Sequence, residues 1–174
     1  MKRAILIVLG CFLLASSAAW ADDATQKRAV DFVQTFYTWY IPIALKTLKE
    51  PSSNVAIAKR GSLFDPPLLK ALKEDAEASQ KSSGDIVGLD FDPFLYAQDI
   101  DNKYVVGEVS EEGGLYLVNV YSVRKGKRAA KPDVVAELKP AKDTFVFSNF
   151  RYGADGDLVQ MLKEMAVDRA HPSQ

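Results

Sequence analysis

The apolar positions in the first part of the chain follow a helical period. From Ala24 onward, large apolar side chains recur three and four residues apart, which predicts an amphipathic helix with one buried face. These positions are Ala29, Val30, Val33, Tyr37, Tyr40 and Ile41, with Phe32 and Phe36 beside them. Pro42 disfavours helical backbone at the preceding residue, so we expect the helix to end or kink at Ile41 and to resume over Ile43–Lys49.

Two shorter helices are predicted next. Asn54 is a suitable cap for a helix that runs through Arg60 and stops at Gly61. In the following segment Asp65 is a plausible N-cap, with Pro66 at the first helical position, where proline is favoured. The leucines of this third helix are expected to face inward; they are Leu68, Leu69 and Leu72.

Beyond residue 102 the apolar positions alternate, which is the period of a strand. The predicted strands are Lys103–Ser110, Gly114–Arg124, Pro132–Lys139 and Asp143–Tyr152. A final helix follows the turn at Gly153–Gly156, with an apolar stripe made by Leu158, Met161, Leu162 and Met165. Helices first, a run of strands second and one helix last indicate an α+β fold with a four-stranded antiparallel sheet.

The first 21 residues have the layout of a secretory signal peptide. Lys2 and Arg3 precede a stretch without charge that ends in the small-x-small sequence Ala19-Trp20-Ala21. We therefore predict a signal peptide over residues 1–21, cleavage near Ala21 and a periplasmic or secreted location. The rest is predicted to form a single α+β domain over residues 22–168 and a disordered tail over residues 169–174.

A membrane span and a lipid anchor are the alternatives for the N-terminal segment. A span needs about 20 apolar residues, and Ser16 and Ser17 weaken the end of a run that is already shorter. Lipid attachment would require cleavage before Cys11, but the apolar run continues through Leu14. We therefore expect no lipid anchor at Cys11 and no stable membrane span after cleavage.

Composition excludes several chemistries from the exported chain. Cys11 is the only cysteine, so residues 22–174 can form no disulfide, thiolate nucleophile or cysteine metal site. The only histidine, His171, falls in the predicted tail, which argues against Ser-His-Asp catalysis and typical zinc sites. Loss of Lys2 and Arg3 leaves 20 basic residues against 23 acidic ones, so no nucleic-acid partner is expected. No cofactor is predicted.

The segment GLDFDPFLYAQDID, residues 88–101, interleaves carboxylates with large apolar side chains. Its aspartates are Asp90, Asp92, Asp99 and Asp101, and its aromatic residues are Phe91, Phe94 and Tyr96. The alternate spacing resembles that of calcium ligands, but neither register supplies the glycine and glutamate that a calcium loop requires. We interpret the segment as a helix-to-sheet connector whose aspartates bond backbone amides and whose aromatic rings are buried.

Aromatic and polar positions in the helices and strands offer further candidates. In FYTWYI, residues 36–41, core packing is the favoured interpretation, although buried Tyr37 and Tyr40 hydroxyls would need partners and could begin a pocket. In the last strand, Asn149 and Arg151 are predicted to share a face with Phe145 and Phe147, as Asn119 and Tyr121 do with Leu115, Leu117 and Val123 in the second. If these faces meet the helices, they would line a ligand cavity; otherwise they lie at the rim of the sheet.

The basic run RKGKRAAK, residues 124–131, falls between two predicted strands. We interpret it as a solvated hairpin tip, with contact to an anionic envelope surface as the alternative.

Three segments together resemble the family known as domain of unknown function 3828. They are FYTWYI, LDFDPFLYAQD and FVFSNFRYGADGDLVQML, and the resemblance spans residues 24–166. It implies an exported bacterial protein, often a lipoprotein, with a cystatin-like or nuclear-transport-factor-two-like fold in which helices pack in the curve of a bent antiparallel sheet. This chain departs from the family pattern at Phe145, where relatives usually carry tryptophan. The family has no settled activity, so the resemblance implies no catalytic residue.

These observations favour a non-catalytic binding or interaction module whose partner is an unknown small molecule or envelope protein. Two alternatives stay open, a small cavity enzyme of the isomerase or dehydratase type and an inhibitor or immunity-type protein of the envelope. The enzyme would use aspartates and tyrosines, by analogy with ketosteroid isomerase in the same wider superfamily. The candidate ligand-binding residues are Tyr37, Tyr40, Asp90, Asp92, Tyr96, Asp99 and Arg151. The sequence predicts no oligomeric state.

Overall fold

The computed structural model describes residues 15–46, 49–82 and 87–171, with side chains from Asp23 onward. Its helices are α1 (Ala15–Ala44), α2 (Ser52–Arg60), α3 (Pro66–Lys81) and α4 (Leu158–Ala170). Its strands are β1 (Tyr104–Glu112), β2 (Leu115–Arg124), β3 (Lys127–Arg128), β4 (Val134–Ala141) and β5 (Thr144–Arg151). Three helices, an antiparallel sheet and a last helix follow one another, so the predicted α+β class is confirmed.

The first helix is longer than the sequence predicts at both ends. It starts at Ala15, inside the segment predicted to be a signal peptide, and residues 1–14, with Cys11, lie outside the described residues. The prediction that it ends at Ile41 is wrong, because it continues through Pro42 to Ala44. Pro42 lies two residues before the end of the helix, so little helix follows the hydrogen bond that its missing N–H removes. The predicted continuation to Lys49 is also wrong: Leu45 and Lys46 form a turn and a bend.

The starts of the next two helices also differ in detail from the prediction. Pro51 precedes α2, so Asn54 lies inside the helix and is not its cap. Asp65 does precede α3, with Pro66 at the first helical position as predicted. Its carboxylate bonds no helix amide and instead pairs with Lys139 Nζ at 2.7 Å, which joins the start of α3 to β4.

The antiparallel sheet has the strand order β1-β2-β4-β5. The short strand β3 was not predicted; it pairs with the end of β2 and forms a hairpin. The turn between them places Lys125 and Gly126 at φ values of 49° and 78°, as a type I′ turn requires. Residues 124–128 are exposed, which confirms that the start of the basic run forms a solvated hairpin tip.

The core lies between α1, the connector of residues 88–101 and one face of the sheet. Its centre is the ring of Phe36, which packs edge-on against Phe147 at 4.9 Å and Phe94 at 5.6 Å and stacks on Tyr40 at 5.3 Å. Leu68 and Leu72 of α3 and Leu158 and Leu162 of α4 are also buried, as their spacing predicts. Burial of a large apolar side chain contributes about 1.5–3 kcal/mol to folding. The contacts of Phe36 with Phe94 and Phe147 therefore hold the connector against the sheet.

The C-terminal helix extends into the segment predicted to be a disordered tail. α4 runs through Ala170, and Arg169 Nη1 lies 2.7 Å from Asp75 Oδ1 of α3. Asp75 is buried, and its Oδ2 also accepts a hydrogen bond from the Leu89 amide. This ion pair anchors the last turn of α4; residues 172–174 lie outside the described residues.

Candidate functional site

Two buried tyrosines hold the backbone of the connector. Tyr37 of α1 donates its hydroxyl hydrogen to the Phe94 carbonyl at 2.5 Å. Tyr152, just after β5, donates to the Pro93 carbonyl at 2.7 Å. Both hydroxyls therefore have the partners that burial demands, and these partners are carbonyl groups of the protein itself.

Asp92 gathers donors from three parts of the fold. Its Oδ2 accepts hydrogen bonds from the hydroxyls of Tyr40 in α1, at 2.5 Å, and Ser52 in α2, at 2.8 Å. Its Oδ1 accepts from the Phe94 amide at 3.0 Å, which closes a local turn. This bonding supports the interpretation that an aspartate of the connector holds its backbone.

The environment of Asp92 shifts two titrating groups in the same direction. Burial raises the pKa of the Asp92 carboxyl above 3.8, although hydrogen bonds from Tyr40, Ser52 and Phe94 oppose the rise. Burial, followed by the nearby charge of Asp92, raises the pKa of Tyr40 well above 10.0. Tyr40 therefore stays a neutral donor at physiological pH.

The other predicted site residues do not join this cluster. Tyr96 stacks on Tyr152 with ring centroids 4.2 Å apart, at the outer end of the connector. Asp90 and Asp99 are exposed, and Asp90 Oδ2 accepts a hydrogen bond from Gln98 Nε2 at 3.2 Å. Arg151 lies on the other face of the sheet. The seven candidates therefore occupy separate places, and only Tyr37, Tyr40 and Asp92 approach one another.

A β-bulge in β5 explains the position of Arg151. Phe147 pairs with Leu138 and Asn149 pairs with Glu137, so Ser148 is an extra residue in β5. One inserted residue reverses the faces of all that follow, and Phe150 therefore joins Phe147 in the core. The expectation that Asn149 and Arg151 share a face with Phe145 and Phe147 is wrong.

On the outer face, Arg151 belongs to an ion-pair network. Its Nη2 lies 2.6 Å from Glu137 Oε2, and its Nη1 lies 3.0 Å from Glu112 Oε2. In β2, Val118 and Val120 face the core, so the alternating Asn119 side chain also faces outward and bonds Tyr121. The predicted cavity lined by these polar residues beneath the helices is not formed.

Two conservative variants of the connector separate an anchoring aspartate from an exposed one. We expect Asp92→Asn to cost about 1–3 kcal/mol of unfolding free energy without any ligand, because its bonding partners are partly buried. Asp90→Asn, on the exposed side, should stay within about 0.5 kcal/mol of the wild type. Urea denaturation monitored by circular dichroism measures both values, and equal losses would contradict the anchoring role.

The pH dependence of the Asp92→Asn effect has a defined sign. An aspartate with a raised pKa binds more protons in the folded than in the unfolded chain, so its contribution falls as pH rises above 3.8. Asparagine does not titrate, so the variant's deficit relative to the wild type should shrink from about pH 4 to about pH 7. A deficit that grows over this interval would show that hydrogen bonding outweighs burial at Asp92.

A cleft on the other side of α1 carries a different set of residues. It has a volume of about 360 Å³ and lies between α1, the β4–β5 turn and the segment that joins α2 to α3. Its apolar side chains are Phe32, Phe36, Trp39, Leu63 and Phe145, and its polar residues are Arg28, Asp31, Thr35, Arg60, Asp143 and Thr144. The size falls within the range of small-molecule sites.

Two arginines flank the aromatic floor of this cleft. The Arg60 guanidinium lies over the indole of Trp39, with Cζ 5.1 Å from the ring centroid. Arg28 lies over the Phe145 ring at 5.8 Å and donates to the Asp143 carbonyl at 2.6 Å. The two cations therefore stand at different walls, one on α2 and one on α1.

The sequence analysis missed this cleft, although one signal for it was available. Arg28, Phe32, Thr35 and Trp39 recur at three- and four-residue intervals on α1, beside the buried stripe that contains Phe36. Burial of a core face does not require this second stripe of two aromatic and two polar residues, so the stripe indicates a further surface on α1. Arg60 and Phe145 come from distant elements, and their approach depends on how α2 and the β4–β5 turn pack.

Within the described ranges, no three His, Cys, Asp or Glu side chains are placed to hold a metal ion. Among the same residues, no helix has both the length and the apolar character needed to cross a membrane. Comparison of the sequence with protein-family models, curated proteins and solved structures finds no match. The resemblance to domain of unknown function 3828 therefore stays a prediction.

Proposed function

We propose that the protein is an exported, non-catalytic binding module that holds a small molecule in the cleft between α1 and the β4–β5 turn. The observation that carries this proposal is the pairing of Trp39 and Arg60 at an apolar cleft. Trp39 is only partly buried, unlike the fully buried rings of Phe36 and Tyr40. A partly open tryptophan under a cation offers both stacking area and charge to a ligand.

The alternative of an aspartate–tyrosine enzyme finds less support in the geometry. A general base must come within hydrogen-bond reach of the proton it removes. Asp92 already accepts hydrogen bonds at both oxygens, and Tyr40 donates its hydroxyl hydrogen to Asp92. Four surface clefts on the described part of the chain have no lining residue among Tyr37, Tyr40 and Asp92.

The N-terminal sequence supports the exported location that the proposal includes. Its charged start, uncharged stretch and small-x-small end are typical of secretion. Because no cysteine follows Cys11, an oxidising compartment would form no disulfide within residues 22–174. The resemblance to an exported family is consistent with the same location.

Native mass spectrometry of the protein recovered from the cells that make it tests the binding proposal. We expect the wild type to carry a non-covalent adduct, and Thr35→Phe to lose it because the new ring fills the cleft. Thr38→Phe is the matched control: both threonines are exposed on α1 and bond a carbonyl four residues back, but only Thr35 lines the cleft. An adduct that survives in Thr35→Phe, or a wild type without one, would refute this site.

A further inference from the structure

Resting on that proposed function, we infer that the ligand of the cleft is a planar aromatic carboxylate. Its carboxylate pairs with Arg60, and its ring system lies on the floor made by Phe32 and Trp39. Three features of the cleft support this ligand class: the unpaired N–H donors of Arg60, the unequal charge along α1 and the size of the aromatic floor.

The first feature is the way in which Trp39 holds Arg60. Arg60 Cζ lies 5.1 Å from the centroid of the Trp39 ring, which is a cation–π distance, and a guanidinium carries five N–H donors. Arg60 makes no hydrogen bond or ion pair with any residue in the described ranges, and its side chain is exposed. The unpaired N–H donors of Arg60 match the two oxygens of a carboxylate.

The second feature is the charge difference between the ends of the cleft. At one end Arg28 is engaged with the Asp143 carbonyl, and the carboxylates of Asp31 and Asp143 are close by. Asp31 pairs with Lys27 at 2.6 Å, so that end is close to neutral. Trp39 lies eight positions after Asp31 on α1, about 12 Å along the axis, which exceeds the screening length of about 8 Å at physiological salt. The anion is therefore placed at Arg60.

The third feature is the floor between the two arginines. Phe32 packs against Phe145 at 6.1 Å, and Phe36 against Trp39 at 6.1 Å. Phe32 and Phe36 both contact Phe147, so the lining rings belong to one aromatic cluster. A volume of about 360 Å³ lies near the lower end of small-molecule sites and suits one or two fused rings. A single free arginine favours one carboxylate over a phosphate, which usually recruits more cations or a nest of backbone amides.

Titration with naphthalene-2-carboxylate and its uncharged amide, naphthalene-2-carboxamide, tests the inference. The full chain carrying Trp20→Phe is used, because Trp39 is then its only tryptophan and gives a single indole N–H signal in NMR spectra. We expect the carboxylate to shift this signal saturably, and the amide to bind at least about tenfold more weakly because it lacks the charge.

Two variants at adjacent positions of α2 locate the anion. Arg60→Gln should weaken carboxylate binding about tenfold or more, since it removes the charged fork. Lys59→Gln removes the same charge from a neighbouring exposed residue that does not line the cleft, and should leave affinity within about twofold. Unchanged circular dichroism of both variants excludes loss of the fold as the cause.

The outcomes separate this inference from the proposed function. Equal affinity for the acid and the amide, or no loss in Arg60→Gln, would overturn the carboxylate while leaving a binding cleft. A wild type that carries a cleft-dependent adduct but binds neither naphthalene compound would also overturn the inference alone. Absence of both the adduct and any shift of the Trp39 signal would refute the function together with the ligand class.

Discussion

Replacing Phe36 with alanine is expected to lower the free energy of unfolding by about 3–5 kcal/mol. The ring is 2 % exposed and lies between Phe94 of the connector and Phe147 of β5. Its removal leaves a cavity that rigid neighbouring rings can fill only in part, so both the transfer energy and the packing energy are lost. Urea unfolding at constant temperature measures the change.

The control for Phe36 is Val167→Ala on α4. Val167 is 52 % exposed, so this truncation should change stability by no more than about 0.5 kcal/mol. A Phe36→Ala variant that lost less than about 1 kcal/mol would show that the connector and the sheet can close around the missing ring.

Replacing Arg169 with methionine is expected to cost about 3 kcal/mol, because the change leaves the buried Asp75 carboxylate without its cation. The arginine itself retains 21 % side-chain exposure, so we expect the loss to stay near the lower end for buried ion pairs. The matched control is Lys70→Met, which breaks the exposed pair with Glu74 one turn away on α3 and should cost at most about 0.5 kcal/mol.

A double variant completes the argument for the Asp75–Arg169 pair. Asp75→Ala combined with Arg169→Met removes both charges, so it should be less destabilised than the sum of the two single variants. Additive losses would mean that the two side chains act independently. Stability unchanged in Arg169→Met would mean that the end of α4 contributes nothing to the fold.

The elements that sequence patterns predict well are those whose period is uniform. The observed bounds of β2 and β4 lie within two residues of the predicted bounds at every end, because one face of each strand meets the core. The aromatic side chains of the connector were also predicted to be buried; Phe94 is fully buried, whereas Phe91 and Tyr96 are only partly buried. In these segments local pattern and tertiary packing require the same answer.

The errors arise where a distant contact decides the outcome. The free energy that a proline costs a helix depends on its position in that helix. The residues around Pro42 in the sequence do not reveal that it falls in the last turn. Arg169 looked like part of a polar tail, because its partner Asp75 lies 94 positions earlier. Among the candidate residues, local composition indicated Asp92 and Tyr40 separately, whereas their contact with each other and with Ser52, like the cleft at Trp39, depends on tertiary packing.

The extra residue at Ser148 affects which insertions and deletions β5 can tolerate in related sequences. It allows β5 to bury Phe147 against α1 and Phe150 against the connector, although the two rings are three positions apart. Deletion of Ser148 would remove the bulge and bring the two rings to the two-residue spacing of a regular strand, which again places both on one face. In descendants of this sequence the interval between the two phenylalanines should therefore be three positions with the bulge or two positions without it, while other insertions and deletions accumulate at the exposed β2–β3 turn, which does not line the cleft.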